Sequence, residues 1–199
     1  KIKFSTIDSV TKTIVPAAVK RFLSKHQVRV EPCVCATGKA MQKVLDGDID
    51  FAICTIDKLP RRVSGIHLFD EDLILIGDKD SVTFKKISQI KKMPFILFPK
   101  ESMTREGIDS FFKKHNIVPD ILMETIKVSA ICSFIEAGLG LSIVPHYSVK
   151  GDIKSGRVVK IDISTGEKRQ EGVVYKKAVK LSLAALDIID ILRKEAKRL

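Results

Sequence analysis

The stretch Glu136-Ala-Gly-Leu-Gly-Leu-Ser-Ile-Val-Pro145 carries a Gly-x-Gly pair, and the job of those two glycines decides how the rest of the chain is read. A dinucleotide-binding loop needs its glycines after a strand and before a helix, so that free helix N-terminal amides face the pyrophosphate. Here the order is the reverse. Upstream, residues 128–136 (VSAICSFIE) put Ile131, Phe134 and Ile135 at helical spacing, and downstream LSIVP alternates and stops at Pro145 as a short strand does. The glycines therefore join a helix end to a strand start. Gly138 suits the left-handed position just past a helix C-terminus, and Gly140 lets the following backbone pack closely. A phosphate cradle is the reading this context argues against.

Working outward, the first half of the chain repeats a strand-helix unit, which predicts parallel strands covered by helices. KIKFS is a strand, followed by a helical stripe of Val10, Ile14, Val19, Phe22 and Leu23 with Asp8 or Ser9 as N-cap. Pro16 interrupts that stripe and marks the start of the main helical run after an irregular turn. Then come the strand VRVEPCV, a helix KAMQKVLDG stopped by Gly47, and the strand IDFAICT, where Asp50 reads as an exposed strand-edge residue. Residues 65–77 form one long extended run. After it the pattern starts afresh: a short turn KISQIKK, strand FILFP, helix TREGIDSFFKKHN, strand DILMET, the quoted helix and strand, strands RVVKIDI and GVVYKK, and an amphipathic helix from 182 to 199. Leu183, Leu186, Ile189, Ile191 and Leu192 make the expected apolar face of that helix.

The chain has 199 residues, 45% of them hydrophobic, enough for a packed core. No apolar run reaches bilayer length, and KIKFSTIDSV lacks the apolar stretch of a secretory signal, so a soluble chain without membrane association is expected. The net charge of +11 favours acidic partners but specifies no nucleic acid. Its cations are spread through KKISQIKK, KSGRVVK and RKEAKRL without interleaved aromatics, and a solvated basic surface is the plainer account. Cys33, Cys35, Cys54 and Cys132 show no C-x-x-C spacing. Buried reduced thiols are one reading; Cys33 and Cys35, two apart on one strand face, leave open redox sensing or soft-metal binding. His26, His67, His115 and His146 are scattered. No metal and no cofactor are expected.

The order of TIVPAAVKRF (13–22), GDIDFAI (47–53), LFDEDLILI (68–76) and EAGLGLSIVP (136–145) resembles the effector-binding (substrate-binding) domain of LysR-type transcriptional regulators, over essentially the whole chain. The resemblance implies an α/β, two-lobed periplasmic-binding-protein-like (type 2) fold, with mixed sheets flanked by helices and an inter-lobe cleft for a small effector. Lobe I would comprise 1–76 and 177–199, and lobe II 77–176. The family's DNA-binding winged helix-turn-helix is absent from this chain and is expected upstream, which would make the full-length protein the one that meets promoter DNA. Cytoplasmic localisation and a homodimer or homotetramer follow from the resemblance, with the helices 10–25 and 104–115 as candidate contacts between protomers.

Carried over residue by residue, the resemblance puts the effector contacts at Thr6, Ile7, Asp8 and Ser9, at Thr37 and Gly38, at Thr55, at Ser102, Met103 and Thr104, and at Lys127, Val128 and Ser129. Hydroxyls and free amides at helix starts offer hydrogen bonds to a carboxylate metabolite, and helix dipoles favour its charge. Ser9, Thr37, Gly38 and Ser102 have the alternative of simply capping helices. Asp8, Ile7 and Met103 depart from the family's usual small or hydroxylated residues, and Asp8 would oppose an anionic effector unless Lys127 or Arg105 offset it. The family's peroxide-sensing disulfide needs two lobe II cysteines, and only Cys132 lies there. Two other function classes share the scaffold: a solute-binding protein of a transport system, and an enzyme acting on a small acid. Enzyme activity is not expected, because Asp8, Arg105, Lys127 and His146 make no acid-base or Ser-His-Asp set.

Overall fold

The opening strand is β1 (Ile2–Thr6), with Ile2, Phe4, Ser5 and Thr6 buried and Lys3 alone exposed, as a strand paired on both sides and covered by helices requires. The computed structural model describes residues 1–199, with the side chain of Val82 outside the description. After β1, the single expected helix is two: α1 (Asp8–Thr11) and α2 (Val15–Leu23). Pro16 stands in the first turn of α2, where its missing N–H removes no intrahelical bond. The N-cap of α1 is Ile7, so Asp8 and Ser9 are helical residues and not the cap expected of them. β2 (Val30–Val34) leads to α3 (Thr37–Asp46), which ends on Gly47 in the left-handed conformation at φ 82°. β3 (Phe51–Thr55) is buried throughout, and β4 (Val63–Gly77) is the long extended run. Asp50 lies exposed just before β3, where its carboxylate accepts the Lys3 N–H at 2.7 Å.

Beyond β4 come the short α4 (Ile87–Ile90), β5 (Pro94–Leu97), α5 (Met103–Lys114), β6 (Asp120–Glu124), α6 (Val128–Glu136) and β7 (Ser142–Pro145). The quoted corner is built as its residues require. Gly138, at φ 75°, sends its N–H to Ile135 O while the Leu139 N–H reaches Phe134 O, the paired bonds that close a helix end. At Gly140 a Cβ would come within 2.4 Å of Pro94 O, so the close backbone approach excludes any side chain. After β7 comes α7 (His146–Lys154), whose buried side chains are only Ser148 and Val149, too few for an apolar stripe in the sequence. β8 (Val159–Lys160) is shorter than the strand expected from RVVKIDI, and β9 (Lys168–Lys176) begins four residues earlier than GVVYKK implied. α8 (Leu183–Ala196) is capped by Ser182, whose Oγ accepts the Ala185 N–H.

The chain forms two compact units, Lys1–Asp70 with Gln170–Leu199, and Glu71–Arg169; β4 and β9 each carry the chain from one to the other. In the first unit β1 pairs in parallel with β2 and β3, and β9 joins β3 antiparallel. Phe4 and Phe51, side by side on β1 and β3, stack at 5.2 Å. α8 packs with α2, and His26 meets Asp187 at 2.6 Å. This docking buries Ala185, Ile188, Ile189, Ile191 and Leu192 but leaves Leu183 87% and Leu186 45% exposed. The apolar face of α8 is thus centred differently from the one expected, because the small Ala185, not its larger neighbours, meets the core.

In the second unit β4 pairs antiparallel with β7, from Leu73–Pro145 to Ile76–Ser142, and with β8. β5 and β6 pair in parallel, and a bridge from Phe95 to Leu141 ties β5 to the quoted corner. Its core gathers Leu75, Ile76, Phe95, Phe111, Ile131 and Ile135, all fully buried.

Candidate functional site

Three parallel strands of the first unit end side by side, and their ends carry the candidate residues. The Ile7 N–H donates to Ile53 O at 3.1 Å, joining the end of β1 to β3, and the Cys35 N–H donates to Thr6 O at 3.1 Å, joining it to β2. Thr6, Ile7, Asp8 and Ser9, the Thr37–Gly38 start of α3, and Thr55 are thereby brought to one sheet end. Ligands bind outside the carboxyl ends of such strands. Thr6 is fully buried, with its hydroxyl near Ile7 O and accepting from Thr11 Oγ1 at 3.2 Å. Asp8 pairs with Lys12 one helical turn on, at 3.1 Å, which offsets its charge locally. Thr55 Oγ1 donates to the fully buried Glu171 Oε1 at 3.3 Å.

The second unit repeats the arrangement. The Thr125 N–H donates to Leu97 O at 2.9 Å, holding the ends of β5 and β6 together, and from them start α5 and α6. Ser102, Met103 and Thr104 occupy the first of these starts, and Lys127, Val128 and Ser129 the second, with Lys127 and Ser129 exposed and Val128 buried.

Helix capping separates these starts from those of α7 and α8, while α1 and α2, with Ile7 and Ile14 at the N-cap, also lack side-chain caps. Ser182 caps α8 with its side chain, and Glu71 Oε1 accepts the Tyr147 N–H in the first turn of α7 at 2.9 Å. α3, α5 and α6 have Ala36, Ser102 and Lys127 at the N-cap, and none makes a side-chain cap bond. The alternative that Ser9, Thr37 or Ser102 simply caps a helix is not what the structure does. First-turn amides at a helix N-terminus with no side-chain acceptor suit an anion, and the macrodipole adds to the attraction.

Arg105 is not available to an effector. It is 2% exposed and donates to Asp109 at 2.7 Å, Glu124 at 2.6 Å and Phe98 O at 2.7 Å. Burial alone would lower its pKa, but the hydrogen bonds and charges of Asp109 and Glu124 outweigh that and hold it above the ordinary value. Of the two cations expected to offset Asp8, only Lys127 is exposed.

Sequence reasoning missed the buried ion pair of Glu71 and Arg169. Arg169 Nη2 donates to Glu71 Oε2 at 2.8 Å and Nη1 to Thr104 Oγ1 at 2.9 Å, so a candidate contact residue is fixed by a buried guanidinium. A signal was present. On β4 the buried positions are Phe69, Glu71 and Leu73 with Asp70 and Asp72 outside, and on β9 Arg169 and Glu171 are inside with Lys168 and Gln170 outside. A charge in the inward register of a period-two pattern marks a buried, partnered group.

The thiols also differ from the plainer expectation. Cys54 and Cys132 are buried, whereas Cys33 is exposed and Cys35 half-exposed, because the edge strand β2 leaves its last residues uncovered. Among the described residues no group of three His, Cys, Asp or Glu side chains could hold a metal, and no helix is long and apolar enough to cross a membrane.

Set against known families, residues 1–197 match the LysR substrate binding domain. The chain belongs to that family. This LysR substrate-binding domain is 29% identical over 153 residues to the "Uncharacterized HTH-type transcriptional regulator YybE" of Bacillus subtilis, covering 73% of this chain and 50% of the relative. It is 27% identical over 131 residues to the "HTH-type transcriptional activator CmpR" of Synechocystis, covering 63% of this chain and 43% of that one. The domain thus spans about half the length of the curated relatives it matches. Among solved structures, the effector-binding domain of QuiR in complex with shikimate superposes with a TM-score of 0.84 at 20% identity, covering 99% of this chain and 97% of that one. The Synechocystis CcmR regulatory domain in complex with 2-PG does so at 0.87 and 19% identity, covering 100% and 98%. At these identities the likeness establishes the fold. It is the two-lobed, periplasmic-binding-protein-like (type 2) α/β class read from the sequence.

Proposed function

We propose that this domain is the effector-sensing part of a LysR-type, DNA-binding transcriptional regulator. The observation that carries the reading is the set of helix starts at α3, α5 and α6, which lack side-chain caps and stand beside Thr37, Ser102, Thr104 and Ser129 at strand carboxyl ends. The effector is a small metabolite bearing a carboxylate or similar anion, met by these amides and hydroxyls together with Lys127. Thr6, Ile7, Asp8, Ser9, Gly38, Thr55, Met103 and Val128 complete the contacts. The ligands of two structural neighbours, shikimate and 2-PG, support that ligand class.

In this reading the domain is a binding and signalling module and not an enzyme. The effector prefers one arrangement of the regulator's protomers and shifts the population toward it. The full-length protein is a cytoplasmic homodimer or homotetramer whose upstream winged helix-turn-helix reads the promoter. The test is a thermal-shift and calorimetric screen of small hydroxy- and phospho-carboxylates, including shikimate and 2-PG, against the wild type, Thr6→Ala and Ser102→Ala. A binding ligand is expected to raise the midpoint of the wild type and to bind each variant about tenfold more weakly, the loss of one hydrogen bond to a charged group. Unchanged affinity in both folded variants would remove these junctions from the site.

A further inference from the structure

We propose that Cys33 and Cys35 form a two-thiolate site for a soft monovalent cation of the Cu(I) class at the end of β2. Side chains alternate along a strand, so the thiols of Cys33 and Cys35, two residues apart, emerge on the same side at the end of β2. Cys33 is exposed and gives entry from solvent, while Cys35 is half-exposed. The backbone beneath them is fixed, since the Cys35 N–H donates to Thr6 O and Cys33 stands in register with Ser5. Ser5 supplies a second pointer to a ligand. Its hydroxyl is fully buried and has no hydrogen-bond partner, and Ser5 stands in register with Cys33 on the neighbouring strand.

The donor set selects the ion. Thiolates favour Cu(I) over hard cations. A structural zinc site wants four ligands, and among the described residues no third Cys, His, Asp or Glu joins the pair. A two-coordinate ion with metal–sulfur bonds of about 2.3 Å each, as in zinc thiolates, bridges two thiols that stand side by side on one strand face. A disulfide would instead draw the sulfurs to about 2.05 Å across residues whose Cα atoms, two apart on a strand, stand about 6.6 Å from each other, near the upper limit for that bond. Binding replaces two S–H protons by two Cu–S bonds, with no change of oxidation state. The bis-thiolate complex carries one negative charge, and Lys43 of α3, which acts electrostatically on Cys35, offsets it. The proposal is independent of the regulatory reading.

The test is an anaerobic titration of the fully reduced chain with Cu(I) in competition with a chromogenic Cu(I) chelator, repeated with Zn(II). One equivalent of Cu(I) is expected to be held against the chelator, with Zn(II) bound far more weakly. Cys33→Ser, at an exposed position that leaves the fold intact, is expected to weaken Cu(I) by about a hundredfold or more, since one thiolate alone cannot form the site. Ser5→Ala should keep the one-to-one stoichiometry. Retention of wild-type Cu(I) affinity in Cys33→Ser, its loss in Cys54→Ser with Cys33 intact, or equal competition by Zn(II) would each overturn the assignment.

Discussion

Replacing Gly140 by alanine tests whether the glycine pair is architectural. Its φ of 149° lies where L side chains are strained, a cost of about 1–3 kcal/mol. The new Cβ would sit 2.4 Å from Pro94 O and 3.0 Å from Pro94 C, and those are backbone atoms of β5 that cannot swing aside. Overpacking of this kind costs about 1–3 kcal/mol. Pro94 O also accepts the Leu141 N–H at 2.9 Å, so its displacement weakens a further bond by about 1 kcal/mol. Together these give roughly 3–7 kcal/mol from one methyl group. Gly138→Ala is the internal control: nothing but Asp78 Oδ2, at 3.6 Å, approaches its Cβ, leaving the left-handed backbone cost of about 1–2 kcal/mol. In urea unfolding followed by circular dichroism, with a slope of about 2 kcal/mol/M, the midpoint should fall by about 1.5–3.5 M for Gly140→Ala and by no more than about 1 M for Gly138→Ala. A Gly140→Ala midpoint no lower than that of Gly138→Ala would refute the close-approach argument.

Arg105→Ala should destabilise the domain by about 2–3 kcal/mol in the same assay, because it removes the donor from Phe98 O and brings two carboxylates together without their cation. A change under about 0.5 kcal/mol would show that the network is surface decoration. The thiols should alkylate in sequence, read by peptide mass spectrometry. Exposed Cys33 reacts first, and Cys35, whose pKa burial raises, reacts only at higher pH; Cys35 modified ahead of Cys33 would contradict their placement. Burial also pushes the Cys54 thiol far above its ordinary 9.0, so the folded state keeps a proton that the unfolded chain loses. That contribution is intact below pH 9.0 and declines as pH rises above it, so Cys54→Ala should show a shallower alkaline loss of stability than the wild type.

Periodicity and punctuation in the sequence determined the elements. The 3.6-residue stripe of 128–136, the glycine past its end, the proline closing LSIVP and the alternation of 65–77 each act through neighbours a few residues away, so local sterics and burial suffice to read them. The same locality made the candidate junctions legible, since a hydroxyl or lysine at a strand-to-helix turn is a feature of a few consecutive residues. What remained hidden depends on partners distant in the chain. Arg105 looks like a cation offered to a ligand until the fold brings Glu124 and Phe98 O to it, and Thr104 is fixed by Arg169, sixty-five residues on. Leu183 and Leu186 belong to an apolar stripe by spacing, but the docking of α8 on α2 chooses which side of that stripe is covered. Ser182 caps a helix and Ser102 does not, although both precede one, because a hydroxyl turns toward its own backbone only where the surrounding geometry leaves that bond available. Local conformation follows from short-range sterics and hydrogen bonding; the pairing of charges, the exposure of thiols and the freedom of a helix start are set by which surfaces meet, and only the tertiary structure decides that.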